Sequence, residues 1–227
     1  METRGAPKLD NAIRSAWRIA MKARTMLGIR YHRMAVWVVL MLMLGGCVTD
    51  EDKIHAISAV NDSFRIDYEK ILTDKGTRVF KVRRDDAFVA MRVTMAGLGM
   101  RTESQDASLG HLVVIAPAPL PLDDGEWLQA SNADTPLLRK IIGPYVGGFS
   151  ASFVHFEPQG LNVVIGATFV ETDAGTEISL TARMREVAPP RSGWPRREYL
   201  LPSAVSSGLD KIWRAFEQEL RSGPQRP

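Results

Sequence analysis

The chain predicts a single α+β domain in which helices pack on one face of an antiparallel sheet, preceded by a signal peptide and a tether helix. Three observations predict it. Residues 176–187 alternate cleanly, with Ile178, Leu180, Ala182 and Met184 on one face and Glu177, Thr181, Arg183 and Arg185 on the other, as in an antiparallel sheet with one wet side. Near the end, Val205, Leu209, Ile212, Trp213, Phe216 and Leu220 recur at helical spacing, a wide apolar stripe that must lie against something. The order of segments along the chain is strand, helix, two strands, helical insertion, three-strand meander and long closing helix, without any internal repeat.

Composition sets the frame for the elements. The 227 residues, 45% hydrophobic and 24% charged, suffice for one ordinary core. Of 29 Lys/Arg and 26 Asp/Glu, residues 1–46 hold eight and two, which leaves 21 basic and 24 acidic residues from position 47 onward. The basic excess therefore belongs to the leader, and no nucleic-acid partner is expected.

Residues 1–33 form an N-terminal extension or n-region, with Met26 and Met34 as alternative starts. Its stretch AIRSAWRIAMKAR also carries Ile13, Trp17 and Met21 in the spacing of a membrane-surface helix. Residues 34–46 comprise an uncharged run, MAVWVVLMLML, and then Gly45-Gly46. That run is far short of the roughly 20 apolar residues of a spanning helix and reads as the h-region and cleavage site of a signal peptide.

The single cysteine, Cys47, can form no intrachain disulfide. Leu44-Gly45-Gly46-Cys47 resembles the lipobox of bacterial lipoproteins. That resemblance implies a diacylglycerol on the Cys47 sulfur, cleavage before Cys47 and a palmitate-bearing anchor as the link to the membrane. Val48, where a retention signal would place Asp, implies an outer-membrane address facing the periplasm, with the inner membrane as the alternative.

In the mature chain, residues 47–75 form the lipidated tether. Ile54, Ile57, Asn61, Phe64, Tyr68 and Ile71 lie three or four apart, which predicts a helix packing back on the domain and stopping at Lys75-Gly76. The α+β domain covers 76–221. Arg78–Val82 is a strand, and Asp85-Asp86 are placed to cap a helix carrying Phe88, Met91, Met95 and Leu98. Met100–Glu103 and His111–Ala116 are strands, the second closed by prolines 117, 119 and 121. Asp123–Gly147 is irregular, with a helix expected from a Thr135 cap and Pro136 to a stop at Gly143-Pro144. Three strands follow, Ala151–Glu157, Leu161–Glu171 and Thr176–Val187. Ser203 is placed to cap the closing helix, and 222–227 is a disordered tail.

The strand–helix–strand run VFKVRRDDAFVAMRVTMAGLGMRTE followed by HLVVIAP is similar to the small domains of the accessory lipoprotein C of the outer-membrane barrel-assembly machinery. The likeness covers about 40 residues, and the whole chain resembles proteobacterial envelope lipoproteins. It implies an accessory role for this chain and no catalytic motif.

The residues agree on the last point. His55, His111 and His155 show no ligand spacing, and H-E-x-x-H, G-x-S-x-G and G-x-x-x-x-G-K are missing from the sequence. No metal, cofactor or catalytic residue is expected. Asp123, Asp124 and Glu126 read as a solvated helix start rather than a carboxylate pair. Arg183, Arg185, Arg191, Arg196 and Arg197 with Trp194 form a candidate patch for an anion or a protein partner. The sequence thus points to a non-enzymatic envelope adaptor or scaffold. An enzyme acting on peptidoglycan or lipid, and a lipid carrier using a groove between sheet and long helix, are the alternatives.

Overall fold

Each face of the sheet follows from strand alternation. In a computed structural model, which describes residues 48–156, 158–188, 194, 195 and 197–223, five strands form one antiparallel sheet. They are β1 (Thr77–Phe80), β2 (Arg101–Asp106), β3 (His111–Pro117), β4 (Leu161–Thr172) and β5 (Gly175–Glu186), in the order β1-β5-β4-β3-β2. The leader, the lipobox with Cys47, Arg191, Arg196 and residues 224–227 lie outside the described residues.

β4 and β5 are the spine. Leu161, Val163, Ile165, Ala167 and Phe169 of β4 are buried with Ile178, Leu180 and Ala182 of β5, so the alternation read in the sequence is the dry face of the sheet. Gly175 closes their hairpin at φ 128°, and a Cβ there would stand 2.2 Å from the Phe80 carbonyl oxygen, so a side chain is excluded on both counts.

Two helices cover that face: α2 (Arg84–Gly97), which links the edge strands β1 and β2, and α5 (Pro202–Ser222). Met91 and Met95 of one and Leu209, Ile212, Trp213 and Phe216 of the other join the sheet residues in the main core. A second core forms among α1 (Asp50–Lys75), α3 (Asp124–Val146) and α4 (Gly148–Ser152). Residues from Val48 onward make up one compact unit, so α1 is built into the fold.

The caps explain where these helices start. Thr49 Oγ1 accepts from Asp52 N–H at 3.1 Å while Asp52 Oδ2 accepts from Thr49 N–H at 3.0 Å, a reciprocal capping box. The buried stripe of α1 runs through Ala56, Val60 and Phe64; Ile54, expected in the seam, is 59% exposed. Asp123 and Glu126 form the same box on α3, which confirms the solvated helix start.

Several local expectations are corrected. α3 runs from Asp124 through both Pro136 and Pro144 to Val146, because the Asp123–Glu126 box nucleates it a full three turns before Thr135. Thr135 instead donates to the Ser131 carbonyl at 2.7 Å, a mid-helix back-bond. The strand expected over 151–157 gives way to α4 and a turn at Phe153 followed by irregular chain through 156. Asp85 and Asp86 sit in the first turn of α2 without making a side-chain cap. Leu201 is the N-cap of α5 and Pro202 its first residue, a position proline favours. Ser203 is itself capped, its N–H and Oγ donating to the buried Asp134 carboxylate of α3 at 2.9 and 2.6 Å.

Candidate functional site: the open face of the sheet

Helices cover one face of the sheet, and the other carries the concentration of polar groups that a site requires. Strand register arranges them in rows. Thr181, Gly166, Val113 and Ser104 stand opposite one another across β5, β4, β3 and β2, and Arg183, Val164, Ile115 and Arg101 form the next row. Gly166 leaves the middle of its row without a side chain. A Cβ there would come within 2.8 Å of Thr181 Oγ1. The result is a depression of about 520 Å³ lined by Glu103, Ser104, His111, Val113, Val164, Gly166, Thr181, Arg183, Met184 and Arg185.

A salt bridge spans one end of this depression. Arg185 of β5 reaches Glu103 of β2 with both terminal nitrogens, Nη2 donating to Oε2 at 2.9 Å and Nη1 to Oε1. The two strands are not neighbours, since β4 and β3 lie between them. A β-bulge between Thr102 and Ser104 holds Glu103, and such bulges re-aim side chains at sheet edges. The bidentate geometry is the strong form of this pair. Hydrogen bonding from Arg185, helped by the nearby Arg101, pulls the Glu103 carboxyl below the usual glutamate range, while the same contact raises Arg185.

Arg183, one row away, makes no ion pair among the described residues and is exposed. Its free guanidinium, the Thr181 and Ser104 hydroxyls and the His111 ring make this face suited to an anionic or hydrogen-bonding group. Asp106 spends its carboxylate on Ser108 Oγ at 2.6 Å and Leu109 N–H at 3.0 Å, which holds it below the ordinary aspartate range. No hydrogen bond joins His111 to Ser104 or Asp106.

The arginine patch read from the sequence is therefore divided. Arg183 and Arg185 share the open face, as their spacing requires. Arg197 instead lies with its guanidinium 4.3 Å from the Phe156 ring centre, and Trp194 is half-buried against the second core. The loop does not fold both onto the sheet, because the Phe156 ring and the second core take them up. His155, expected on a strand, follows α4 with its Nδ1 3.1 Å from the Phe153 carbonyl. His55 stands 3.7 Å from Glu51 on α1.

Glu103, Ser104 and Gly166 were among the site residues that escaped sequence reading. Glu103 depends on a bulge, and Gly166 inside an apolar strand carries the one signal that was available, a glycine where a neighbour approaches closely. Among the described residues no group of three His, Cys, Asp or Glu is placed to hold a metal, and no helix is long and apolar enough to cross a membrane. Between α5 and the sheet, near Pro119 to Leu122, the free space is about 30 Å³, against the roughly 300–1,000 Å³ of small-molecule pockets.

The fold and this face define an α+β protein with a one-sided sheet. Comparison with known proteins finds no match: no family model, no curated protein and no solved structure is similar to the chain.

Proposed function

We propose that the chain is a lipid-anchored, non-enzymatic adaptor of the bacterial envelope, facing the periplasm from the outer membrane, which binds part of a partner protein on the open face of its sheet. The observation that carries this reading is the combination of Arg183, without an ion pair among the described residues, with a glycine-floored depression on the sheet face that no described helix covers. The lipobox at Leu44–Cys47 supports the anchor, with Cys47 as the lipidated residue. A carrier of lipid in the sheet–helix groove is disfavoured by the 30 Å³ of space there.

The test is site-specific cross-linking in cells with the full chain. A photoreactive residue replacing Val113, at the floor of the depression, should yield a discrete adduct with one envelope protein. Arg183→Glu should weaken that adduct, and the same probe at Leu109, 75% exposed on the β2–β3 turn, should not give it. An adduct unaffected by Arg183→Glu, or equal from Leu109, would refute binding at this face.

A further inference from the structure

Two phenylalanines stand out on the surface. Phe149 and Phe153, on and just after α4, are 81% and 66% exposed, and their rings meet edge-on with centres 5.0 Å apart. Tyr145, in the last turn of α3, is 41% exposed. Aromatic area of this kind left in water is unfavourable unless something covers it. The stretch 141–156 contains no Asp or Glu and follows directly on Arg139-Lys140.

The packing of the helices locates this patch. Glu126 of α3 bonds Lys211 of α5 at 2.5 Å, and Asp134 bonds Ser203, so α3 runs antiparallel to α5. Lys75 of α1 bonds Asp210 at 2.6 Å, while Asp67 shares a surface groove with Ser203, so α1 runs parallel to α5. It follows that α1 and α3 are antiparallel, and the C-terminal end of α3, with α4 after it, stands at the Val48 end of α1. Val48 packs against the same core as Val146 and Ala151.

That end is where lipid would be attached. Only Val48 and Thr49 separate Cys47 from the first residue of α1, and three fully extended residues span at most about 10–11 Å. A lipid on Cys47 would hold this end of the domain against the headgroups with no room for a long spacer.

We propose that Phe149 and Phe153 form a membrane-contact wedge that enters the headgroup–acyl boundary of the bilayer bearing the Cys47 lipid. The inference rests on the lipoprotein reading of Cys47 and adds a second, non-covalent contact beside its acyl chains. Arg139 and Lys140 suit anionic headgroups. The acidic first turn of α1 is at the same end: Asp52 is held in the Thr49 capping box, Asp50 is paired with Lys53 at 2.9 Å and Glu51 stands 3.7 Å from His55.

The single cysteine makes the test direct. Once Cys47 carries its thioether the chain has no free thiol, so a Gly148→Cys variant takes one thiol-specific nitroxide; a Cβ at Gly148 meets nothing within 4 Å, and both phenylalanines stay in place. The full lipidated chain is reconstituted in vesicles of phosphatidylethanolamine and phosphatidylglycerol. Collision of the label with oxygen should then exceed collision with a water-soluble nickel complex several-fold more than for a label at Leu109→Cys. Adding Phe149→Ser and Phe153→Ser should abolish that difference. A chain that incorporates palmitate while its label at 148 is as open to nickel as that at 109 overturns the wedge and leaves the anchor standing. A label shielded from both reagents overturns it in favour of a protein contact. Absence of palmitate overturns anchor and wedge together.

Discussion

Arg185 and Glu103 are joined across two intervening strands, so one ion pair ties the second strand of the sheet order to its far edge. The pair closes one end of the depression beside Arg183. Glu103 titrates below the ordinary glutamate range because Arg185 hydrogen-bonds its charged form. For a carboxyl depressed in this way, the contribution to stability is complete above the unfolded value and is lost as pH falls through the folded one. The clamp should therefore stay closed at pH 5 and open only at more acidic pH. Side-chain carboxyl carbon shifts of Glu103, followed by NMR, should show a depressed midpoint that returns toward the ordinary value in Arg185→Ala. An ordinary midpoint in the native chain would refute the clamp.

Gly166 should tolerate no side chain without adjustment. A methyl at this position meets Thr181 Oγ1 at 2.8 Å, closer than real Cβ contacts, and overpacking of this kind costs about 1–3 kcal/mol. Gly166→Ala should lower stability in urea unfolding, and Thr181→Ala, which removes the opposing oxygen, should recover much of the loss. If the two substitutions are additive, the close approach is not the cause.

Much of the architecture was legible because it depends on period. The dry faces of β4 and β5 and the stripe of α5 repeat every two or every three to four residues over a dozen positions or more, and the core reproduces them. Features set by a single contact were not. The start of α3 hung on Asp123 and Glu126 rather than on Thr135-Pro136, and the cap of Ser203 comes from Asp134, a residue 69 positions away. Residues 151–157 look like a strand because Phe153 and His155 alternate, yet Gly147, at φ 79°, turns the chain into α4 before any partner strand can pair with it. Of the site, Arg183 and Arg185 could be read from alternation, while Glu103 required a bulge and the separation of Trp194 and Arg197 required the tertiary fold.

Asp134 is 7% exposed, and burial raises its carboxyl above the usual aspartate range despite the bonds from Ser203. A folded-state value above the unfolded one means that the native state holds the proton more tightly. This residue's contribution is then greatest below the unfolded value near 4 and declines as pH rises through the folded value. Asp134→Asn keeps an acceptor for Ser203 N–H without the buried charge, so its stability relative to the native chain should rise between pH 4 and 7. Asp134→Ala, which strips the cap from α5, should lose about 0.5–2 kcal/mol. Denaturant unfolding at several pH values measures both, and a pH-independent difference for Asp134→Asn would refute the raised carboxyl.

The last prediction concerns α1, read from sequence as a tether helix packing back on the domain and found within the fold. Ala56, Val60 and Phe64 are fully buried in the second core, and the far end of the helix is stitched to the first. The indole N–H of the buried Trp213 donates to the Lys75 carbonyl at 2.7 Å, and Lys75 Nζ donates to Ser206 and Asp210 at 2.8 and 2.6 Å. The Tyr68 hydroxyl accepts from Ala182 N–H at 3.3 Å, on the stretch of β5 that the short β1 leaves uncovered and that an unpaired edge would expose to aggregation. Removing α1 therefore strips one wall from the second core, the acceptor from Trp213 and the cover from β5. Phe64→Ala alone should cost about 3–5 kcal/mol, a large part of the roughly 5–15 kcal/mol that holds a domain together. A chain beginning at Gly76 should thus show no cooperative thermal transition and should aggregate, whereas one beginning at Val48 should melt as a unit. Calorimetry on the two truncations decides the matter: a soluble chain from Gly76 with a sharp transition and intact near-ultraviolet tryptophan dichroism would return α1 to the status of a tether.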